Sequence, residues 1–348
     1  MMKKCIGCGV ELQMEDIKKP GYIKDINQDY CQRCFRMTHY NDLTIDMKNR
    51  IERKAILDKI REIDGLLVLI VDILQIEFAL RSDLIEALKG KDIVLVLNKY
   101  DVLPKNVNLE RILEYINKYT AKRLRNTRVH EVLLTQKFDE GFNNLFLDVV
   151  DESGYRSIYF VGNVNACKST IINKLLKDKK LTESRYPSTT LDFNVIPYDE
   201  YLFIDTPGLI DESSLICKTE QSNLKQIEIN KMIKPLVYQL YENQSYAIDG
   251  ILKIDVYTKN PKSSIIFYGS PLLNIHRSGI ENGSIYFDKH HKEFPLHVND
   301  AYTKEIKIGH DREDILINGL GIITVKGVNR VVITTQKGVE ILERESII

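Results

Sequence analysis

One segment of the chain carries an apolar run, a loop of small residues and a Lys-Ser pair in immediate succession. It reads Ile158-Tyr159-Phe160-Val161-Gly162-Asn163-Val164-Asn165-Ala166-Cys167-Lys168-Ser169-Thr170. The first four residues predict a buried strand, and the residues from Thr170 onward predict a helix. In a strand-loop-helix segment of this kind, successive backbone N–H groups and the helix N-terminus cradle phosphate groups. The segment from Gly162 to Thr170 therefore predicts a phosphate-binding loop.

The side chains of this loop suit a nucleotide, with one exception. Lys168 is expected to neutralise the β- and γ-phosphates, and the Ser169 hydroxyl is expected to bind Mg²⁺. Cys167 stands where such loops usually carry a second glycine. A Cβ atom at that position crowds the phosphates or strains a backbone conformation that favours glycine. A vestigial loop that no longer binds nucleotide is therefore the alternative.

A second motif lies upstream, at the carboxyl end of the apolar run 93–97, and reads Asn98-Lys99-Tyr100-Asp101. It matches Asn-Lys-x-Asp, the guanine-recognition motif of GTPases. The Asp101 carboxylate is able to accept hydrogen bonds from the ring N–H and the exocyclic amine of guanine, a pair of donors that adenine lacks. We expect Lys99 to cover the face of the base and Asn98 to brace neighbouring loops. A solvated loop end is the alternative for the tetrapeptide taken alone.

Two further segments match a GTP site more weakly. Thr135-Gln136-Lys137 follows the next predicted strand, where GTPases present a backbone amide to the guanine oxygen. Gln136 replaces the usual small residue, a change that backbone donation tolerates. Pro187-Ser188-Thr189-Thr190 follows the phosphate loop, and Thr190 is the candidate for contacting Mg²⁺ and the γ-phosphate. A Ser/Thr run of this kind is more often a plain turn.

The segment Asp205-Thr206-Pro207-Gly208 ends the predicted strand 201–204. Asp205 is expected to hold the Mg²⁺ shell through water, and the Gly208 amide is expected to contact the γ-phosphate. The next residue is Leu209, where Ras-like proteins carry the glutamine that positions the attacking water. Because leucine offers no hydrogen bond to water, slow intrinsic hydrolysis is expected.

Four of the six cysteines form two Cys-x-x-Cys pairs near the start of the chain, Cys5 with Cys8 and Cys31 with Cys34. Two such pairs wrap the two sides of a tetrahedral Zn²⁺ ion. Four thiolates leave no open position on the metal, so the predicted site is structural. Residues 1–45 show little apolar periodicity and are expected to need such a metal to fold.

The remainder of the chain divides into two regions with different sequence patterns. Residues 46–215 alternate apolar strand-like runs with helical patterns, which predicts a doubly wound, mostly parallel sheet. Residues 216–348 contain short strand-like runs bounded by Gly, Asn and Pro, which predict a small β-rich domain. Within that domain we expect the polar segment 218–243 to be helical.

Composition excludes a global electrostatic attraction to nucleic acid, since Lys plus Arg and Asp plus Glu number 49 each. Any contact with a polyanion must therefore be a local patch. The longest apolar run, Leu66–Val71, is far too short to span a bilayer. The first residues lack the apolar core of a signal peptide. These features predict a cytoplasmic protein without a membrane partner.

The order of the motifs resembles that of the YqeH family of circularly permuted ribosome-assembly GTPases. In ordinary GTPases the phosphate loop precedes the guanine motif. Here the motifs run in the order Asn98–Asp101, Thr135–Lys137, Gly162–Ser169, Thr190 and Asp205–Gly208. With the paired cysteines ahead of them, the resemblance covers nearly the whole chain. It implies a circularly permuted P-loop GTPase domain between a zinc module and a β-rich domain.

The resemblance also implies a function. It indicates GTP and GDP as ligands, and the small ribosomal subunit or its precursor as partner, through rRNA or a ribosomal protein. It further implies a potassium site at Asn165 and a C-terminal domain that binds RNA or protein. The alternative is a zinc-bearing RNA-binding scaffold whose phosphate loop supports little or no turnover because of Cys167.

Overall fold

A computed structural model of the protein describes residues 3, 11–16, 21–26, 28–29, 31–32, 53–136, 141–177, 186–187, 193–259 and 262–348. The chain forms two compact units, Met1–Glu52 and Arg53–Ile348. In the first unit, Gln13 and Tyr22 form a short parallel bridge and Cys31 is buried. The helices and strands given below all belong to the second unit. The expected three-domain division stays a prediction.

A seven-stranded sheet forms the first part of the second unit, in the order β3-β2-β1-β4-β7-β6-β5. Its strands are β1 Leu66–Asp72, β2 Asp92–Asn98, β3 Arg128–Thr135, β4 Ser157–Gly162, β5 Tyr186–Pro187, β6 Asn194–Tyr198 and β7 Tyr201–Asp205. The accompanying helices are α1 Arg53–Glu62, α2 Ile76–Ala79, α3 Ser82–Ala87, α4 Leu109–Arg123, α5 Phe142–Ser153 and α6 Lys168–Lys177. Strands β3, β2, β1, β4 and β7 are parallel, whereas β6 and β5 run antiparallel.

The central strands follow from their composition. Every residue from Leu66 to Val71 is buried, as is expected of a parallel strand with helices on both faces. Helix α5 was not predicted, although Phe142, Phe146 and Val150 recur at every fourth position and are buried in the core. Phe146 stacks on Phe160 of β4 with 6.0 Å between ring centroids. The predicted mostly parallel α/β sheet is confirmed.

The carboxyl ends of the parallel strands meet at one edge of the sheet. Asp72, Asn98 and Thr135 end β1, β2 and β3 and lie in register with one another. Successive strands run outward from β1 in one direction, and β4 begins the other direction, so the order reverses between β1 and β4. Open α/β sheets bind ligands at such a reversal. The predicted phosphate loop follows β4 at this place.

Two five-stranded antiparallel sheets form the rest of the second unit. Their orders are β12-β9-β10-β16-β13 and β17-β14-β15-β11-β8. The strands are β8 Leu236–Leu240, β9 Gln244–Ile248, β10 Leu252–Thr258, β11 Ser263–Gly269, β12 Ile275–Ser278, β13 Ala301–Lys307, β14 Arg312–Ile317, β15 Gly321–Lys326, β16 Val328–Gln336 and β17 Ile341–Glu345. The helices are α7 Leu215–Lys218, α8 Leu224–Ile227 and α9 Ile280–His290. The predicted β-rich C-terminal region is confirmed.

The predicted helix over residues 218–243 is wrong. Within residues 219–243 only Leu224–Ile227 forms an α-helix, and Leu236–Leu240 is the edge strand β8. Pro235 stands directly before this strand and has no N–H to donate within a helix. Strand β8 is held by its antiparallel pairing with β11. A distant partner therefore overrides the local pattern.

The parallel sheet region and the antiparallel sheets are joined by a buried polar cluster, which we call the Arg344 cluster. Arg344 of β17 forms ion pairs with Glu77 of α2 and, at 3.4 Å, with Asp314 of β14. The Tyr115 hydroxyl donates to Glu77 at 2.9 Å, and the Arg344 guanidinium lies 4.9 Å from the centre of the Tyr115 ring. The side chains of Arg344, Glu77 and Asp314 are 11%, 6% and 0% exposed. Such deep burial makes each charge depend on its partners.

Candidate nucleotide site

Strand β2 positions the predicted guanine motif against the phosphate loop. Asn98, its last residue, is buried, and its side-chain Nδ2 donates to the carbonyl oxygen of Ala166 at 3.3 Å. Lys99 then adopts a left-handed backbone conformation with φ of 64°, which turns the chain away from the sheet. Asp101 follows in a short 3-10 turn and is exposed. The structure thus places Asn98 as a brace between two loops and leaves Asp101 open to a ligand.

Asp72 at the end of β1 holds the Lys99 side chain. The Lys99 Nζ lies 2.9 Å from Asp72 Oδ2, and both side chains are less than one fifth exposed. Burial lowers the pKa of Lys99, but the charge of Asp72 and other acidic groups outweighs it, so the pKa is raised overall. Asp72 Oδ1 also accepts from the Leu74 N–H at 2.9 Å. Sequence reasoning missed Asp72, although its place at the carboxyl end of a buried strand was a usable signal.

The phosphate loop contains two residues in the left-handed backbone region, Asn165 with φ of 70° and Cys167 with φ of 65°. This region favours glycine, so Cys167 carries the backbone strain that its replacement of a glycine predicts. The Cys167 thiol lies 3.7 Å from the carbonyl oxygen of Asn165. Burial raises the pKa of this thiol despite the nearby charge of Lys99. The side chain is therefore a neutral group inside the loop.

Several buried polar atoms of the site have no hydrogen-bond partner within the described part of the chain. They are Asn163 Oδ1, Asn165 Oδ1 and Nδ2, Asp205 Oδ1 and Thr135 Oγ1. Buried polar atoms in folded proteins are almost always bonded, so a cluster of unpaired ones marks a place for a ligand. The carboxylate and amide oxygens among them are acceptors and can ligate a cation, and the amide nitrogen can donate to an anion.

Lys168 and Asp205 are two partly buried charged residues of this site. Burial lowers the pKa of Lys168 and raises the pKa of Asp205, and each charge partly offsets the effect on the other. The Ser169 hydroxyl lies 3.5 Å from Asp205 Oδ2. The cost of burying the charges of Lys168 and Asp205 is thus only partly offset by their neighbours. The set fits a phosphate group beside Lys168 and a hard cation beside Ser169 and Asp205.

The segment after β7 is bonded to the phosphate loop through its backbone. The Leu209 N–H donates to the Gly162 carbonyl and the Val164 N–H donates to the Leu209 carbonyl, each at 3.0 Å. A Cβ atom on Gly208 would lie 2.9 Å from Val164 Cγ2 and 3.2 Å from Val164 Cα, so this approach requires glycine. The Leu209 side chain is fully buried. No side chain from position 209 is therefore available to orient a water.

The remaining predicted residues divide between described and undescribed positions. Thr135 is buried at the end of β3 beside Asn98, and Gln136 follows it. Thr170 lies exposed in the first turn of α6. The predictions for Lys137, Thr190, Cys5, Cys8 and Cys34 fall outside the described residues. Within the described ranges no group of three or more His, Cys, Asp or Glu side chains is arranged to hold a metal.

Comparison with known proteins identifies relatives of both parts of the second unit. Residues 157–266 match a family described as 50S ribosome-binding GTPase, and residues 262–347 match one described as YqeH-like, C-terminal. The YqeH protein of Bacillus subtilis is 32% identical over 99% of both chains. The NO-associated protein 1, chloroplastic/mitochondrial, of Arabidopsis thaliana is 22% identical over 94% of this chain and 70% of its own. A GDP-bound structure of YlqF is 21% identical over 49% of this chain and 64% of that chain, with a TM-score of 0.31.

These findings define the class of protein. The chain is a P-loop GTPase with a mixed α/β nucleotide-binding region and a β-rich C-terminal region, and it hydrolyses GTP. Its similarity to the Bacillus subtilis protein extends over essentially the full length of both chains. The chain belongs to the YqeH family. In its described part, none of the helices has the length and apolar character needed to cross a membrane.

Proposed function

We propose that this GTPase is an assembly factor for the small ribosomal subunit whose nucleotide state controls its association with the ribosome. The observation that carries the proposal is the path from the phosphate loop to the C-terminal sheets. Leu209 is bonded to the loop, and Asp211, two residues later, accepts a hydrogen bond from the Asn318 side chain at 2.8 Å. A displacement of Gly208 at the γ-phosphate position would therefore reach the C-terminal region through Asp211, three residues further along the chain.

Further contacts strengthen this path. Arg81, which precedes α3, contacts Asp211 at 3.1 Å and Glu340 at 2.8 Å. The Glu340 N–H donates to the Ser213 carbonyl at 2.9 Å. The segment after the switch glycine is thus held from both sides, by the parallel sheet region and by the loop before β17. A network with two discrete arrangements is what nucleotide-dependent control requires.

The residue roles within the proposal follow from the site geometry. Lys168 would neutralise the β- and γ-phosphates, and the Gly208 amide would contact the γ-phosphate. Ser169 and Asp205 would hold Mg²⁺, which supplies charge neutralisation at the phosphates when it is bound. Thr190 would complete the same set. The guanine base would lie against the turn that follows β2, and the motif order reflects a circular permutation of the GTPase sheet.

Two further ions belong to the proposal. Asn165, whose amide has no described partner, would hold potassium and so add positive charge near the phosphates. Cys5, Cys8, Cys31 and Cys34 would bind one structural Zn²⁺, for which elemental analysis of the purified protein is the direct measurement. The contacts with rRNA or a ribosomal protein would come from the zinc module and the C-terminal region, in the cytoplasm.

The experiment is co-sedimentation of the full chain with purified 30S subunits, 30S precursors and 50S subunits. Each is tested with GDP and with a non-hydrolysable GTP analogue, and hydrolysis is measured in potassium and in sodium. We expect binding to 30S particles that differs between the two nucleotides, and turnover that rises with 30S particles and with potassium. Binding to 50S subunits alone would replace the small-subunit assignment with the large subunit.

Lys168→Ala is the informative variant in this experiment. It should lower hydrolysis about 100- to 1,000-fold and remove the nucleotide dependence of ribosome binding, because the lysine stabilises phosphate charge in a buried site. Lys89→Ala, which removes an exposed lysine paired with Glu86, serves as the control. Strong ribosome binding that ignores nucleotide, with hydrolysis at background, would favour the scaffold. The strained Cys167 backbone is the observation behind that alternative.

A further inference from the structure

A cavity of about 230 Å³ lies in the C-terminal region, away from the residues of the nucleotide site. It is bounded by the segment that follows β9, by the edge strand β12 and by helix α9. Its lining includes Asp249, Asn274, His276, Tyr286 and Phe294. The cavity thus combines a carboxylate, an amide and aromatic rings.

The carboxylate in this cavity is incompletely bonded. Asp249 is only 4% exposed, and its Oδ1 accepts a hydrogen bond from the Asn274 Nδ2 at 2.8 Å. Its Oδ2 is buried and has no hydrogen-bond partner in the described part of the chain. Burial raises the pKa of Asp249, and the bonds from Asn274 only partly oppose this. A buried carboxylate oxygen without a donor is costly, so the site lacks an N–H or O–H group that a ligand can supply.

The aromatic side of the cavity is a stacked pair. The rings of His276 and Tyr286 are nearly parallel, with 3.9 Å between their centroids and 16° between their planes. The centroid of the His290 ring, one helical turn beyond Tyr286, lies 5.1 Å from the centroid of the Tyr286 ring. His276 is exposed at the end of this stack. A stack with an open end offers its face to another planar ring.

We propose that this cavity binds one unpaired nucleobase of single-stranded RNA. The base would stack on the aromatic pair His276 and Tyr286, and one of its N–H groups would donate to Asp249. Stacking on aromatic side chains together with hydrogen bonding at a base edge is how proteins recognise unpaired bases. The site is additional to the GTP site. It depends on the proposed ribosomal function only in that the ribosome would be the source of the RNA.

The bonding of Asp249 favours a base over an arginine side chain. A guanidinium group pairs best with a carboxylate through two parallel hydrogen bonds that use both oxygens. Here Oδ1 is already bonded to Asn274, so only Oδ2 is left. One N–H donor on a flat, neutral ring matches a single oxygen beside an aromatic face.

The rim of the cavity also offers a contact for the RNA backbone. Lys289 is exposed and stands three residues beyond Tyr286 on α9, so the two side chains lie on the same side of the helix. Glu293, in the short 3-10 turn after the helix, is paired with His290 at 3.0 Å, whereas Asp288 stands directly before Lys289 and is exposed. Because the chain has no net charge, any contact with the RNA backbone must be local, and Lys289 provides one such contact at this rim.

The test uses the full chain and short fluorescein-labelled RNAs of mixed sequence, either single-stranded or as a duplex of equal length. Binding is followed by fluorescence anisotropy. We expect the single strand to bind more tightly than the duplex, whose bases are not available for stacking. His276→Ala and Asp249→Asn should each weaken single-strand binding about tenfold, the scale of one lost base contact. Asparagine also tolerates the left-handed backbone of Asp249, whose φ is 41°.

Controls separate this site from the rest of the protein. His310→Ala, which removes an exposed histidine before β14, should leave RNA binding unchanged. Both cavity variants should keep the GTP hydrolysis rate and melting temperature of the unaltered chain. Equal affinity for single strand and duplex, or full affinity in both cavity variants, would overturn the proposal. If the same variants kept their affinity for RNA but lost affinity for a fluorescein-labelled arginine-rich peptide, the cavity would be assigned to a protein partner.

The outcome is independent of the ribosome experiment. Loss of single-strand binding in His276→Ala would support the cavity even if no ribosomal subunit bound the chain. Conversely, nucleotide-dependent ribosome binding with RNA affinity that ignores His276 and Asp249 would support the proposed function and reject this site.

Discussion

The parallel sheet and the two antiparallel sheets place their polar side chains differently. In the parallel sheet, Asn98, Thr135 and Asp205 stand at the carboxyl ends of strands, and atoms of the last two have no partner among the described residues. In the antiparallel sheets, Thr324 Oγ1 donates to Asp314 at 2.6 Å and Thr335 Oγ1 donates to the Ile251 carbonyl at 2.9 Å. The first arrangement keeps hydrogen-bonding capacity for a ligand, whereas these two threonines of the second use it to hold the sheets. Within the described part of the chain, unpaired buried atoms also occur in the antiparallel sheets, on Ser245, Asp255 and Ser278.

Backbone strain follows the same division. Three of the five described non-glycine residues with positive φ, namely Lys99, Asn165 and Cys167, belong to the nucleotide site. Asp199 occupies the turn between β6 and β7, and Asp249 lies at the C-terminal cavity. Strained residues persist where the surrounding structure holds them, and they collect at binding sites. Strain is therefore concentrated at the nucleotide site, with one further strained residue at the C-terminal cavity.

The Arg344 cluster gives the largest expected effect, because it joins the two regions. Arg344→Met should lower the free energy of unfolding by about 3–5 kcal/mol, since it leaves Glu77 and Asp314 buried without their cation. Guanidinium unfolding measures the loss. The matched control is Arg330→Met, which breaks an exposed pair with Glu305 and should cost under about 1 kcal/mol. Similar losses of unfolding free energy in the two variants would mean that the Arg344 cluster contributes no more to stability than an exposed ion pair.

Base selection provides the next largest effect, confined to the nucleotide region. Asp101→Asn should weaken GTP binding about 10- to 100-fold, because the carboxylate that accepts the two guanine donors is lost. Xanthosine triphosphate, which offers a complementary pattern to asparagine, should recover affinity in the same variant. Isothermal calorimetry measures both. An unaltered chain that binds ATP as well as GTP would rule out Asn98–Asp101 as the guanine reader.

Asp72 tests whether a residue outside the known motif positions Lys99. Asp72→Asn should weaken GTP binding roughly five- to tenfold by loosening a charge-assisted contact, while the maximal hydrolysis rate stays unchanged. The change is read as a rise in KM without a fall in kcat. Asp92→Asn, at the opposite end of the sheet where Asp92 contacts His130, is the control and should leave KM unaltered. A fall in kcat with unchanged KM would assign Asp72 another role.

Cys167 provides the smallest and most local effect. Cys167→Gly should tighten GTP binding by about 1 kcal/mol, because glycine adopts φ of 65° without strain and removes a Cβ from the phosphate loop. The same substitution at Cys217, within the short helix α7, should instead destabilise the fold by about 1 kcal/mol. Weaker GTP binding in the Cys167 variant would show that the loop depends on the thiol.

Local sequence patterns predicted most of the elements that carry the site. Continuous apolar runs predicted β1, β2 and β4, because a parallel strand is covered on both faces and shows no alternation. They failed at β8, where pairing with β11 decides the structure, and at α5, whose core face Phe142, Phe146 and Val150 was overlooked. The predicted roles of the motif residues stay predictions. The structure adds the residues that contact these motif residues in the folded protein.

The sequence by itself determined the α/β class, the β-rich end of the chain and the motif order that indicated a GTPase, because each depends on residues close together in the chain. Only the tertiary structure decided that Asp72 holds Lys99, that Asn98 meets Ala166 and that Arg344 joins the two regions. These partners lie far apart in sequence. Their contact depends on strand order and register, which local propensity and periodicity do not encode.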